Sequence, residues 1–156
     1  MIRIQHEDFD PGAEQQALEA EASGLGAVCT FTGLVRNHGD RQDVEGLFLE
    51  HYPGMTERAL EAVVADAFGR WDLLSCRIIH RVGLLQLGER IVFVGVASAH
   101  RQDAFAACEF VMDALKVSAP FWKKELSAEG DHWVTQKDGD RDRAQRWSPK
   151  IDAGTP

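Results

Sequence analysis

Arg90-Ile91-Val92-Phe93-Val94-Gly95-Val96-Ala97-Ser98-Ala99 is a nearly continuous apolar run. Such a run predicts a strand covered on both faces, because a strand with one wet face alternates apolar and polar residues. A covered strand fits a domain in which helices pack on a sheet. Directly after it, Phe105, Cys108, Met112 and Leu115 recur at helical spacing and predict a helix over 103–118. Pro120 ends it, since the residue before a proline avoids helical angles.

Upstream, residues 76–82 (CRIIHRV) read as a strand closed by Gly83, and 84–89 (LLQLGE) as a turn with an apolar lip. Leu60, Val63, Val64, Ala67, Phe68 and Trp71 mark the buried face of a helix, with Thr56 as its cap after the Pro53-Gly54 break. Ile2-Arg3-Ile4-Gln5 alternates like a short strand. Asp10-Pro11 is a helix start of the N-cap acid and first-turn proline type, and that helix runs to about Ala22, where Ser23-Gly24 stops it. Residues 27–35 (AVCTFTGLV) have the composition of a central strand. Residues 44–52 (VEGLFLEHY) read as a strand pairing back on it across the polar loop 36–43, a hairpin with a long tip. Past Pro120, residues 132–135 form a candidate short strand and 137–146 a charged stretch of mixed sign. The order β-α-β-β-α-β-β-α-β predicts an α+β (mixed α/β) domain with helices packed on a sheet. One domain over 1–150 and a short tail at 151–156 are expected, without repeats or low-complexity segments.

The 156 residues are 44% hydrophobic and 27% charged, and their net charge of −8 argues against nucleic acid or an anionic membrane as partner. No apolar run is long enough to span a bilayer. The N-terminus is too acidic for a signal peptide, so a cytoplasmic address is expected. The charge is unevenly spread. All basic residues up to position 115 are arginines, whereas Lys116, Lys123, Lys124, Lys137 and Lys150 fall in the last 41 positions. Such a concentration inside an acidic chain points to a local anion site.

Three segments have the chemistry for it. His100-Arg101 sits where the covered strand feeds a helix, and unpaired N–H groups and the helix dipole attract anions there. An ion pair of Arg101 with a surface carboxylate and a solvated His100 would give the same pattern. Lys116 and Lys123 flank the Ser118-Ala119-Pro120-Phe121-Trp122 break, which can turn both ammonium groups towards one pocket with an aromatic wall. Two neighbouring lysines depress each other's pKa. Complementing the helix dipole accounts for Lys124 and competes as a reading of Lys116. Arg36-Asn37-His38-Gly39 forms the third segment, a loop at a strand end, where a solvated turn is equally consistent. The six histidines show no HxH, HxxxH or HExxH spacing, and Cys29, Cys76 and Cys108 form no CxxC pair, so no metal site and no cofactor are expected. The cysteines read as buried apolar residues.

The stretches Phe31-Thr32-Gly33-Leu34-Val35-Arg36-Asn37-His38, Leu49-Glu50-His51-Tyr52-Pro53-Gly54-Met55, Ser98-Ala99-His100-Arg101, and Leu115-Lys116 through Ala119-Pro120-Phe121-Trp122-Lys123-Lys124-Glu125 resemble the large, catalytic subunit of the molybdopterin synthase family. Four motifs in consistent order over roughly residues 2–148 make the resemblance specific. It implies an α/β hammerhead fold with an additional β-rich subdomain, and a homodimer that becomes a heterotetramer with two small ubiquitin-like sulfur-carrier subunits. The carrier's C-terminal Gly-Gly, as a thiocarboxylate, would deliver sulfur to cyclic pyranopterin monophosphate and form the dithiolene of molybdopterin.

Carried onto this chain, the resemblance implies Lys116 and Lys123 as catalytic residues. Phe31, Arg36, His100 and Arg101 would bind substrate, some of them from the dimer mate. Lys137 is the weakest member, standing near a position where the family often has arginine, since lysine lacks the bidentate fork. The competing reading is a non-catalytic dimeric module that binds a phosphorylated metabolite or a protein C-terminus.

Overall fold

The computed structural model describes residues 1–39 and 43–149; positions 40–42 of the polar loop, Lys150 and the expected tail lie outside the described residues. The elements are β1 (Ile2–Gln5), α1 (Pro11–Ala20), β2 (Ala27–Leu34), β3 (Gly46–His51), α2 (Met55–Arg70), β4 (Leu73–Arg81), β5 (Gly83–Gln86), β6 (Arg90–Ser98), α3 (Arg101–Val117), β7 (Phe121–Leu126), β8 (His132–Val134) and α4 (Asp138–Gln145). They build two four-stranded sheets, ordered β1-β4-β6-β2 and β5-β3-β7-β8. The α+β class holds, and the second sheet is the β-rich addition.

β6 is the strand that the apolar run predicts. Alternate residues serve two layers: Val92, Val94 and Val96 join the core under α2 and α3, while Phe93 packs with Phe9 and Ile79 beneath α1. The edge-to-face contact of Phe9 and Phe93, 6.1 Å between centroids, fills the α1 side. Asp10 caps α1 as expected, its Oδ1 accepting from the Gly12 and Ala13 amides. On the outer part of that layer Arg77 pairs with Glu14 of α1 and with Glu21, the residue that caps its C-terminus.

Several local expectations need correction. β2 does not pair with β3 in a hairpin, and it is an edge strand rather than a central one. Its register runs antiparallel to β6 alone, while β3 pairs with β5 and β7 in the other sheet. The reason lies in burial. Val35 and Val44, at the two ends of the polar loop, pack with Leu47, Leu49 and Leu85 in a second core, which draws β3 away from the first sheet. Residues 83–86 form strand β5 instead of a turn, because Leu85 completes that second core. Phe105 is 66% exposed and Phe68 is 43% exposed, so neither belongs to the buried face of its helix. In α3, Ala104, Ala107, Phe110, Val111 and Ala114 join Cys108 and Leu115 on that face. The 137–146 stretch contains α4, which periodicity does not reveal because no residue of it is buried.

Thr56 is not the cap of α2 but lies inside its first turn. Gly54, with φ +82°, is the N-cap, and its amide donates to Glu57 Oε2 at 2.6 Å. Thr56 is fully buried, accepts from the Tyr52 amide at 2.9 Å and donates to the Pro120 carbonyl at 3.0 Å. That hydroxyl ties the end of β3 and the start of α2 to the residue before β7. Thr56→Val should therefore leave two backbone groups unpaired and lower the unfolding free energy by about 1–3 kcal/mol, while Thr56→Ser changes it little; urea denaturation measures both.

Candidate functional site

α3 is the element around which the candidate residues are arranged. His100 is its N-cap and Arg101 its first residue, while Lys116 lies in its last turn. From Arg101 to Lys116 the helix rises about 22 Å. Within one chain, therefore, the candidates form two groups at opposite ends of a rod.

The lysine end is the richer. Pro120 stops the helix, and the chain re-enters as β7, whose alternation puts Phe121, Lys123 and Glu125 on one face and Trp122 and Lys124 on the other. The register pairs Phe121, Lys123 and Glu125 with His51, Leu49 and Leu47, so their face is the one turned to the second core. Glu125 is buried. The polar loop reaches the same face: Gly39 lies so close to Glu125 that a Cβ there would meet the carboxylate and oblige it to shift. Arg36, exposed, leads into that contact from the end of β2. Lys137 arrives through its neighbour, as Gln136 Nε2 donates to the Lys116 carbonyl at 2.9 Å. Arg36, Lys116, Lys123 and Lys137 are thus brought to one end of the molecule. Lys116 is exposed and Lys123 half-buried.

Lys124 stands apart, on the opposite face. Its Nζ lies 5.4 Å from the Phe48 ring and 5.3 Å from the Trp133 ring, with Asp131 at 3.9 Å.

His100 and Arg101 occupy the other end of α3. The His100 amide donates to Ser98 Oγ at 3.2 Å, and Ser98 in turn donates to the Asp72 carbonyl, which holds the strand-to-helix turn. The His100 side chain makes no capping hydrogen bond and is exposed, as Arg101 is. Phe31 lies between the two groups on edge strand β2, paired in register with Val94 and 42% exposed. Two surface grooves, one of about 520 Å³ between α2, α3 and the Trp147 segment and one of about 430 Å³ at the end of the second sheet, contain none of the candidate residues.

Sequence reasoning missed four side chains at the lysine end: His51, His80, Glu125 and Gln136. The alternation of β7 was the available signal for Glu125; nothing local announces the others. His80 stacks on Phe121, with ring centroids 3.8 Å apart and planes 16° from parallel. Burial pushes its pKa down to about 4, and the nearby charges of Lys116 and His51 act in the same direction. Among the cysteines, Cys76 and Cys108 are buried as expected and Cys29 is half-buried. Burial pushes the Cys76 thiol up to about 11 and raises Cys108 as well. Among the described residues no group of three or more His, Cys, Asp or Glu side chains is placed to hold a metal, and no helix is long and apolar enough to cross a membrane.

With this geometry in place, comparison with known proteins is decisive. The model of the MoaE protein family matches residues 4–118. The chain belongs to the MoaE family. It is 58% identical, over 94% of its own length and 97% of the relative's, to a Pseudomonas aeruginosa protein named molybdopterin synthase catalytic subunit. Among solved structures, the molybdopterin biosynthesis MoaE protein of Burkholderia ambifaria superposes with a TM-score of 0.80 at 47% identity, covering 95% of this chain and 98% of that one. The same fold recurs at 21% identity and a TM-score of 0.73 in a Helicobacter pylori structure described as a protein–protein complex of subunits 1 and 2 of molybdopterin-converting factor, over 87% of this chain and 91% of that one.

The His80 shift has a definite sign. The unfolded chain takes up a proton near the ordinary value of 6.5 and the folded chain only near 4, so protonation favours unfolding. Stability should be complete above pH 6.5 and fall as the pH drops towards 4. His80→Phe, which cannot be protonated, should flatten that part of the profile relative to the parent, as followed by thermal unfolding between pH 4 and 7.

Proposed function

We propose that this MoaE-family chain, acting as one unit over residues 1–150, is the catalytic subunit of a molybdopterin synthase. It would transfer sulfur from the thiocarboxylated Gly-Gly terminus of a small ubiquitin-like carrier to cyclic pyranopterin monophosphate, in the cytoplasm. The observation that carries this reading is the gathering of Arg36, Lys116, Lys123 and Lys137 at one end of α3 in a protein of net charge −8. Both ligands are anions, so they repel each other until a cationic pocket screens them. Close relatives named for this activity, matched over nearly their whole length, support the assignment.

In this reading Lys116 positions and polarises the incoming thiocarboxylate. Lys123 acts as acid or base while the oxygen substituent leaves the pterin side. Sulfur is delivered by the partner rather than stored on this chain, because Cys76 and Cys108 are buried thiols whose ionisation is suppressed. A variant with Cys29, Cys76 and Cys108 all replaced by alanine should keep its turnover per folded molecule while losing thermal stability; abolished turnover in a folded variant contradicts a carrier-borne sulfur.

The separation of about 22 Å along α3 keeps His100 and Arg101 away from Lys116 and Lys123 of the same chain. A two-fold dimer resolves this, because antiparallel apposition of two copies sets the N-terminus of one α3 beside the C-terminus of the other. The edge of β2, with Phe31 and Leu34 exposed at 42% and 55%, is a surface suited to that contact. Each pocket would then take Lys116 and Lys123 from one protomer and His100 and Arg101 from its partner.

The test is complementation. Lys116→Ala and Arg101→Ala should each abolish dithiolene formation from cyclic pyranopterin monophosphate and thiocarboxylated carrier. Dimers re-formed from an equal mixture should regain roughly a quarter of the parental sites. Full activity of Lys116→Ala would refute the enzyme reading, and failure of the mixture to recover would refute the shared pocket.

A further inference from the structure

The chain leaving β8 returns to the lysine end of α3 through Gln136, whose side chain uses both of its polar atoms. Nε2 donates to the Lys116 carbonyl at 2.9 Å, and Oε1 accepts from Arg141 Nε at 3.1 Å. A peptide carbonyl can only accept and a guanidinium can only donate, so the two partners fix which way the amide is turned. The Lys116 carbonyl lies in the last turn of α3, and the residue four positions on is Pro120, which has no N–H to offer it. Gln136 supplies that donor.

The same side chain sets how the chain enters α4. Lys137 is the N-cap of α4, makes no capping hydrogen bond and brings a cation to the helix end that favours anions. Gln136 and Arg141 stand just before the N-cap and in the fourth helical position, where an apolar pair often clasps a helix start; here the clasp is polar. α4 buries none of its own residues, so its place depends on contacts at its two ends. At the far end Arg146 pairs with Glu109 and Asp113, and Trp147 Nε1 donates to Asp113 Oδ2 at 2.7 Å. The Trp147 ring meets Trp71 and Phe110 edge to face, with centroids 5.5 and 5.6 Å away. Glu109, Asp113 and Lys116 follow at helical spacing and form one stripe of α3. α4 thus runs back along that stripe, clamped by Arg146 and Trp147 at one end and by Gln136 at the lysine end.

We propose that Gln136 is a positioning residue for Lys137: by bridging the Lys116 carbonyl and the Arg141 guanidinium, it fixes the start of α4 against the end of α3 and holds the Lys137 main chain at a set distance from Lys116. The functional consequence rests on the reading of Lys137 as a residue that binds the anionic substrate; the two hydrogen bonds do not. An N-cap lysine contributes nothing to its own helix start, so without the bridge the turn that carries it is held only from the distant Trp147 end. Gln136 is the side chain of that turn that reaches α3, and only an amide can serve both partners at once.

Two variants test the bridge in the full-length protein. Gln136→Ala removes both hydrogen bonds, and Gln136→Glu keeps an acceptor for Arg141 but sets an oxygen against the Lys116 carbonyl. The first readout is NMR. In both variants the Lys116 carbonyl ¹³C signal should move upfield, and the Lys137 amide, as rigid in the parent as the body of α3, should gain motion on the ps–ns timescale. The second readout is steady-state turnover of cyclic pyranopterin monophosphate with thiocarboxylated carrier. Gln136→Ala should raise KM by about threefold to tenfold with little change in kcat, and should raise it no further when Lys137→Ala is already present. An unmoved Lys116 carbonyl signal or an equally rigid Lys137 in folded Gln136→Ala overturns the proposal, and so do KM effects of Gln136→Ala and Lys137→Ala that multiply as independent changes. If the parent forms no dithiolene, the enzyme reading falls, while the two NMR signals still decide whether Gln136 holds Lys137.

Discussion

The burial of β6 on both faces is the constraint on which the remaining structure depends. Val92, Val94 and Val96 need cover on one side and Phe93 on the other, and the chain meets this with α2 and α3 against one face and α1 against the other. Because α3 follows β6 directly and must lie back along it, the helix runs from the far end of the sheet to the near end. Its two ends are then the natural sites for charged groups. The N-terminus carries His100 and Arg101 and the C-terminus carries Lys116, each beyond the apolar stretch that packs on the sheet.

The second sheet brings the candidate residues of this scaffold together. It has its own core of Val35, Val44, Leu47, Leu49 and Leu85, and it joins the first layer at the lysine end of α3. Thr56 ties the start of α2 to the Pro120 carbonyl, and His80 stacks on Phe121, so the beginning of β7 is held from two sides. The strand alternation that follows separates the two adjacent lysines. Lys123 faces inward with Glu125, and Lys124 faces outward between Phe48 and Trp133. An acidic protein can thereby admit anions at one place while its remaining surface repels them.

Much of the local structure was legible in the sequence. β1, α1, β6, the bodies of α2 and α3, and the short strand β8 follow from periodicity, caps and proline breaks. The misreadings share one cause. Residues 27–35 and 44–52 each have strand character, and a strand's composition says nothing about which edge it will join; β2 took β6 and β3 took β5 and β7. Residues 83–86 look like a turn because only Leu85 of that segment is buried, and Phe105 looks like core because helical spacing alone cannot tell a packed aromatic from an exposed one. The candidate site was legible as a list of cations but not as a shape.

The sequence by itself determined the composition of the site and the family to which the chain belongs, since motifs such as Ala99-His100-Arg101 and Pro120-Phe121-Trp122-Lys123-Lys124 are contiguous and keep their chemistry wherever they are placed. Only the tertiary structure decided that His100 and Arg101 stand at one end of α3 and the lysines at the other, that Gly39 meets Glu125, and that His80 lies under Phe121. These are distances between residues far apart along the chain. They are set by which strands pair and which faces are buried, and those are properties of the whole packed core rather than of any segment.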